Sequence, residues 1–256
     1  MPSKKTLVTG ASEGIGRAFA KQLANEGYAV TAVARNEERL KNLMEEIGTN
    51  HCFIVADLST DKGVKTVTEE LRKDHYTLLV NNAGFGVYGK FPGPSLERIQ
   101  EMTRLNCDAV VALSCAFLSQ AKSGDALINV SSIGAFLPMP LSGVYAATKA
   151  FVTSFSESLW FEQKDKGIYV LGLCPGVTTT QFHSRAGGKD SEVPASLTQT
   201  PEDVVEVAMS ALKNRAKPTI VTGAKNKMLT TLSKLMPRKT VVNISGWVRN
   251  RVSPYN

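Results

Sequence analysis

TLVTGASEGIG, residues 6–16, passes from a short β-rich apolar run through three glycines into the helical pattern GRAFAKQLANEG. Gly10, Gly14 and Gly16 allow the chain to turn sharply and bring backbone N–H groups and a helix N-terminus close to a diphosphate. The spacing is G-x-x-x-G-x-G rather than the commoner G-x-G-x-x-G, and a glycine-rich turn alone also suits a simple tight turn. The flanking pattern then repeats along the chain. AVTAVA (29–34) precedes NEERLKNLMEEIG, where Asn36 can cap and Gly48 can terminate a helix. CFIVAD, a helix over 62–74, LLVNNAG, a helix over 95–119, ALINVSS, a helix over 145–164 and YVLGLCPG follow. Thr200, Pro201 and Asp203 open a further helix like a capping box, and TIVTG (219–223) reads as a last strand. Near-continuous apolar strands alternating with helices predict an α/β, Rossmann-like, doubly wound parallel sheet with helices on both faces, in a single domain. Ligands then belong at the carboxyl ends of the strands.

The chain has 256 residues, 43% hydrophobic and 21% charged, with no linker or repeat to divide it. MPSKKTLVTGAS lacks the apolar core of a signal peptide, which predicts a cytoplasmic protein. Residues 126–148 carry no charge but contain Pro138 and Pro140, so a buried strand and loop suit them better than a membrane span. Four cysteines without a C-x-x-C pair predict free thiols, and three histidines without ligand spacing predict no metal.

The second strand ends in Ala34 and Arg35, where an acid would hold the ribose hydroxyls of NAD and a base favours the 2′-phosphate of NADP. Glu13, in the glycine turn, counts against the phosphate, yet NADP(H) is the expectation.

YAATK (145–149) puts a phenol and an ammonium on one helical face, with Ala146 and Ala147 leaving space beside them. A phenol with pKa about 10 is a poor acid or base at neutral pH, and a neighbouring cation favours the phenolate. Bringing it to about 7 requires roughly 4 kcal/mol of preferential stabilisation. Lys149 and a bound cofactor's positive ring are expected to share that task, tuning Tyr145 for general acid–base work.

Together these motifs resemble the short-chain dehydrogenase/reductase family over about residues 4–223. TGASEGIG looks like its cofactor turn (Gly10, Ser12, Glu13, Gly14, Ile15, Gly16), and ADL like its adenine contact (Asp57, Leu58). NNAG resembles the motif that steadies its central sheet, with Asn82, Ala83 and Gly84 on the adenosine side. PGVTTT looks like its nicotinamide-side loop, with Pro175, Gly176, Thr178 and Thr180. NVSS and YAATK resemble its active site, with Ser132 thirteen residues before Tyr145, and Asn106 of RLN matches a fourth catalytic position. The resemblance implies that Tyr145 exchanges a proton with the substrate oxygen while hydride passes to or from nicotinamide. Ser132 would orient that oxygen, Lys149 would also hold the nicotinamide ribose, and Asn106 would keep a water in a proton relay. It also implies a homodimer or homotetramer through the helices at 95–119 and 145–164.

FGVY (85–88) and AFLPMPL (135–141) offer apolar walls for a hydrophobic ketone or alcohol, and residues 182–199 read as a lid. His183, Arg185 and Lys189 in that lid could meet an anionic group. Residues 1–223 are thus expected to form the nucleotide-binding and catalytic domain, and 224–256 a basic amphipathic extension. After Glu206 the chain has ten Lys/Arg and no acid, which leaves residues 1–206 with twenty Lys/Arg against twenty-three Asp/Glu, a net −3. Met228, Leu229, Leu232, Leu235 and Met236 share one helical face. Packing of that stripe on the chain's own body or a second subunit is the leading reading. Peripheral contact with an anionic membrane is the second, and nucleic-acid binding is not expected. The sequence therefore predicts an NADP(H)-dependent carbonyl reductase or alcohol dehydrogenase acting on an apolar small molecule. An NAD-linked alcohol dehydrogenase, or a nucleotide-sensing or scaffolding protein without turnover, are the alternatives.

Overall fold

The computed structural model describes residues 4–182, 186 and 198–252. Seven strands form one parallel sheet in the order β3-β2-β1-β4-β5-β6-β7: β1 Lys5–Thr9, β2 Ala29–Ala34, β3 Cys52–Val55, β4 Leu78–Asn81, β5 Ala126–Val130, β6 Tyr169–Cys174 and β7 Thr219–Val221. The order reverses at β1, whose Val8 lies opposite Ala32 of β2 and Val80 of β4. That reversal opens a crevice at the carboxyl ends of the central strands, where ligands bind in such sheets.

Helices cover both faces because both faces are apolar. On one side α1 (Gly14–Asn25), α2 (Glu37–Ile47) and α7 (Pro201–Asn214) pack Phe19, Leu23, Leu40 and Val204 onto the sheet. On the other, α3 (Asp61–Lys73), α5 (Ala109–Leu118) and α6 (Gly143–Gln163) bury Leu71, Leu113, Phe117 and Leu159. The expected caps form. Asn36 Oδ1 accepts from Arg39 N at 2.9 Å, Gly48 ends α2 at φ +100°, and Thr200 and Asp203 close a reciprocal capping box. All four cysteines are free.

Two expectations need correction. The helix predicted over 95–119 is two helices, α4 (Leu96–Thr103) and α5, joined by a π turn at Arg104–Asp108. The extra residue per turn lets Asn106 reach sideways, where its Oδ1 accepts from Phe85 N and its Nδ2 donates to Phe85 O and Thr148 Oγ1. Second, the apolar stripe of residues 228–236 is not buried against the chain's own body, one of the two packings expected for it. Helix α8 (Ala224–Leu235) turns Thr230 and Ser233 toward the body, and Met228, Leu229, Leu232 and Leu235 are exposed. Asn226, anchored to Thr222 O at 2.9 Å, seats the helix so close to the loop after β6 that a Cβ on Gly176 would strike its Nδ2. Helix α9 (Arg238–Val252) follows. The uncharged stretch 126–148 is, as expected, a buried strand, β5, followed by a loop and then the start of α6, and no helix among the described residues is long and apolar enough to cross a membrane. The lid expected over 182–199, with His183, Arg185 and Lys189, falls almost wholly outside the described residues.

Candidate active site

The loops leaving the strands line one continuous cavity of about 1100 Å³. Each strand from β1 to β6 contributes at its carboxyl end: Gly10, Arg35, Asp57, Asn82, Ser132 and Pro175 in turn. Ser12, Glu13, Gly14, Ile15, Leu58, Ala83, Gly84, Gly176, Thr178 and Thr180 also line it. The backbone explains the glycines at two points. Gly10 and Gly14 have φ +66° and +53°, a region costly to other residues, and a Cβ on Gly14 would come within 3.0 Å of Thr180 Cγ2. Gly16 does not line the cavity. A Cβ there would strike Gly10 O and Asn82 Nδ2, so its role is to let α1 abut the turn.

NNAG is wired as a brace. Thr9 Oγ1 accepts from the backbone N–H groups of Asn82 and Ala83 at 2.9 and 3.0 Å, and Asn82 Nδ2 donates to Thr9 O at 2.9 Å. One residue earlier, Asn81 Nδ2 donates to Asn129 Oδ1, and Asn129 Nδ2 donates to Ser156 Oγ on α6. These buried polar links fix the ends of β1, β4 and β5 against the helix that carries Tyr145 and Lys149.

Tyr145 and Lys149 are 7% and 5% exposed. The ammonium donates to Val130 O at 2.9 Å and lies 5.9 Å from the Tyr145 ring centroid. Burial pushes the Tyr145 phenol above its ordinary range, Tyr88 adds to this, and a hydrogen bond with Ser132 opposes it. In the chain without nicotinamide, burial thus opposes the downward shift expected from Lys149 and a bound cofactor's positive ring, and the ammonium is turned to Val130. Burial lowers Lys149 itself to about 8. Ser132 Oγ accepts from Gly134 N at 3.1 Å, which leaves its hydroxyl hydrogen to donate. Asn106 is buried and does not line the cavity. Its side chain is fully engaged by Phe85 and Thr148, and it stands directly behind Gly84, where a Cβ would meet Asn106 Oδ1 at 2.9 Å and Lys149 Nζ at 3.4 Å.

A model of the short chain dehydrogenase family matches residues 4–190. The chain belongs to the short-chain dehydrogenase family. A very-long-chain 3-oxoacyl-CoA reductase of Mus musculus is 29% identical over 96% of this chain and 80% of its own. A 7beta-hydroxysteroid dehydrogenase of Mediterraneibacter gnavus is 31% identical over 86% of each. A short-chain dehydrogenase from Sphingobium yanoikuyae, solved in complex with NADPH, superposes with TM-score 0.78 at 31% identity over 86% of each chain. As a short-chain dehydrogenase the protein is an oxidoreductase that uses a nicotinamide cofactor and acts between alcohols and carbonyls.

Several residues of this dehydrogenase's cavity escape the sequence reading. Arg39 lines it beside Arg35 and is ion-paired with Glu13, and its place four residues beyond Arg35 was the available signal. Arg35 lies 3.7 Å from Asp57 Oδ2 and 3.5 Å from Glu101 Oε1. Arg98 also lines the cavity, with its guanidinium 3.9 Å from the Phe85 ring centroid. Phe182 packs on Tyr145 with ring centroids 5.6 Å apart. The apolar end comprises Phe85, Tyr88, Leu137, Pro138, Met139 and Pro140, as expected, together with residues of α8 and α9.

Proposed function

We propose that the protein is an NADP(H)-dependent oxidoreductase for an apolar ketone or secondary alcohol. The observation that carries this reading is the single cavity, which runs from a glycine cradle and two arginines, past Tyr145, Ser132 and Lys149, to an apolar end. The residues present suit a dinucleotide: the positive-φ glycines would bring backbone close to a diphosphate, and Arg35 and Arg39, which line the same cavity, would flank the adenosine ribose.

When bound, the nicotinamide supplies or accepts the hydride. Tyr145, held protonated by burial through the neutral range, donates its phenolic proton to the carbonyl oxygen during reduction. In the alcohol-oxidising direction the phenolate is needed, so that rate is expected to rise with pH. Ser132 directs its hydroxyl hydrogen at the same oxygen. Lys149 stabilises the phenolate and holds the nicotinamide ribose, and its depressed pKa makes that charge sensitive to alkali above about 8. Asn106 acts as a positioning residue, fixing the Gly84–Phe85 backbone that walls Lys149 in. The outer faces of α5 and α6, with exposed Val111, Phe151 and Phe161, suit a homodimer contact, which light scattering of Phe151→Glu tests.

Both arginines already have acidic partners, so a 2′-phosphate must displace Glu13 from Arg39 and compete with Glu101 for Arg35. This yields a sharp test of the cofactor. NADPH affinity is expected to fall at least about tenfold in Arg35→Ala or Arg39→Ala, the loss of one charge-assisted contact. Glu13→Gln, which frees Arg39, is expected to tighten NADPH and leave NADH unchanged. Equal response of the two cofactors in titrations of all three variants makes the protein NAD-linked.

A further inference from the structure

Helix α8 is inside out. Its inward positions are Asn226, Thr230 and Ser233, the last two 4% and 8% exposed, whereas Leu235 is 79% and Met228 62% exposed. Small polar residues let the helix lie tight against Gly176, and the apolar stripe is left outward. Helix α9 buries Val241 and exposes Val242, Ile244 and Val248. Eight of the fifteen large apolar residues exposed among the described residues therefore lie on these two helices, and a ninth, Met236, lies in the turn between them, which excludes a random scatter of surface hydrophobes.

The placement is as informative as the composition. Leu229, Leu232, Met236, Ile244 and Val248 are at once exposed and part of the cavity wall, so the outer apolar surface runs without interruption into the apolar end of the cavity. Charge then selects the occupant. Residues 224–256 hold seven Lys/Arg and no Asp or Glu, with Lys227, Arg238 and Lys239 exposed. A second copy would set like charge against like charge on this face, whereas an anionic headgroup layer complements it. Since no helix among the described residues can span a bilayer, the contact is one that lies in the interface plane.

We infer that α8 and α9 seat the protein on an anionic lipid surface with the cavity mouth facing the acyl layer, so that the apolar substrate enters from the membrane. The docking stands on the surface alone, and the substrate route rests on the function proposed above.

Flotation of the full-length protein with phosphatidylcholine vesicles, with and without phosphatidylglycerol, tests it. Binding to the phosphatidylglycerol vesicles, released by high salt, is expected. Lys227→Glu with Lys239→Glu is expected to weaken it at least about tenfold, as is Met228→Ser with Leu235→Ser. None of these four side chains lines the cavity, and unchanged nicotinamide cofactor binding certifies that the variants fold. Failure to float with either vesicle overturns the docking. So does a change of oligomeric state in Met228→Ser/Leu235→Ser with no change in flotation, which assigns the face to a second copy. Because flotation needs no turnover, a chain that floats but reduces no ketone refutes the catalytic reading only. A chain that reduces a water-soluble ketone but does not float refutes the docking only.

Discussion

Lys149 bears its charge where the surroundings disfavour it. Folded, it binds its proton less tightly than in the unfolded chain, about 8 against an ordinary 10.5. Below about pH 8 the fold carries the whole cost of the buried ammonium. Between about 8 and 10.5 the folded state sheds the proton first, so this group makes stability rise with pH, by ~3 kcal/mol across the window. Replacing it with an apolar residue of similar length should remove both the cost and the slope. Lys149→Met is expected to abolish turnover while unfolding in urea at pH 7 at least as late as the wild type, and to lose the alkaline gain in stability. An unchanged slope between pH 7 and 10 refutes the assignment. The spacing of Tyr145 and Lys149 was legible because helical periodicity is a local property. The direction of the Tyr145 shift in the chain without nicotinamide was not, since it depends on burial and on Tyr88 and Ser132, which the fold gathers around the phenol.

The elements divide in the same way. Strands and helix starts could be read directly: Asn36, Thr200 and Asp203 cap within four residues of themselves. The π turn was invisible in the periodicity, and the Phe85 backbone that its Asn106 engages lies 21 positions away. Asn106→Ala therefore tests the link between that turn and the site. Removing the amide leaves the Phe85 N–H and C=O buried without these partners, at a cost of about 2–4 kcal/mol for the pair. Chemical denaturation should show this loss together with a reduced kcat, and nicotinamide cofactor affinity should change less. Asn106→Ser, which can satisfy only part of the clamp, should fall between. A stability loss with kcat intact would confine Asn106 to the fold. For α8 the sequence showed an apolar stripe but not its orientation. Which side of an amphipathic helix faces in was settled by Asn226 and the bare backbone of Gly176, and a periodic pattern contains neither.

At the scale of the whole molecule, the cavity has two ends built from different parts of the chain. The nucleotide end draws on the loops that leave β1 to β4 and β6, and the apolar end on residues 85–88, 137–140 and the two helices α8 and α9. Substitutions at the far end should therefore leave the near end alone. Leu229→Ala or Ile244→Ala is expected to raise KM for a bulky apolar ketone several-fold, about 1–2 kcal/mol for a partly exposed aliphatic contact, with NADPH affinity unchanged. A parallel loss of both affinities would mean that α8 and α9 support the fold as a whole. None of the segments forming the apolar end belongs to the sheet. Descendants of this chain can consequently exchange one preferred molecule for another by altering three segments outside the sheet, while the inherited machinery for moving a hydride passes through unaltered.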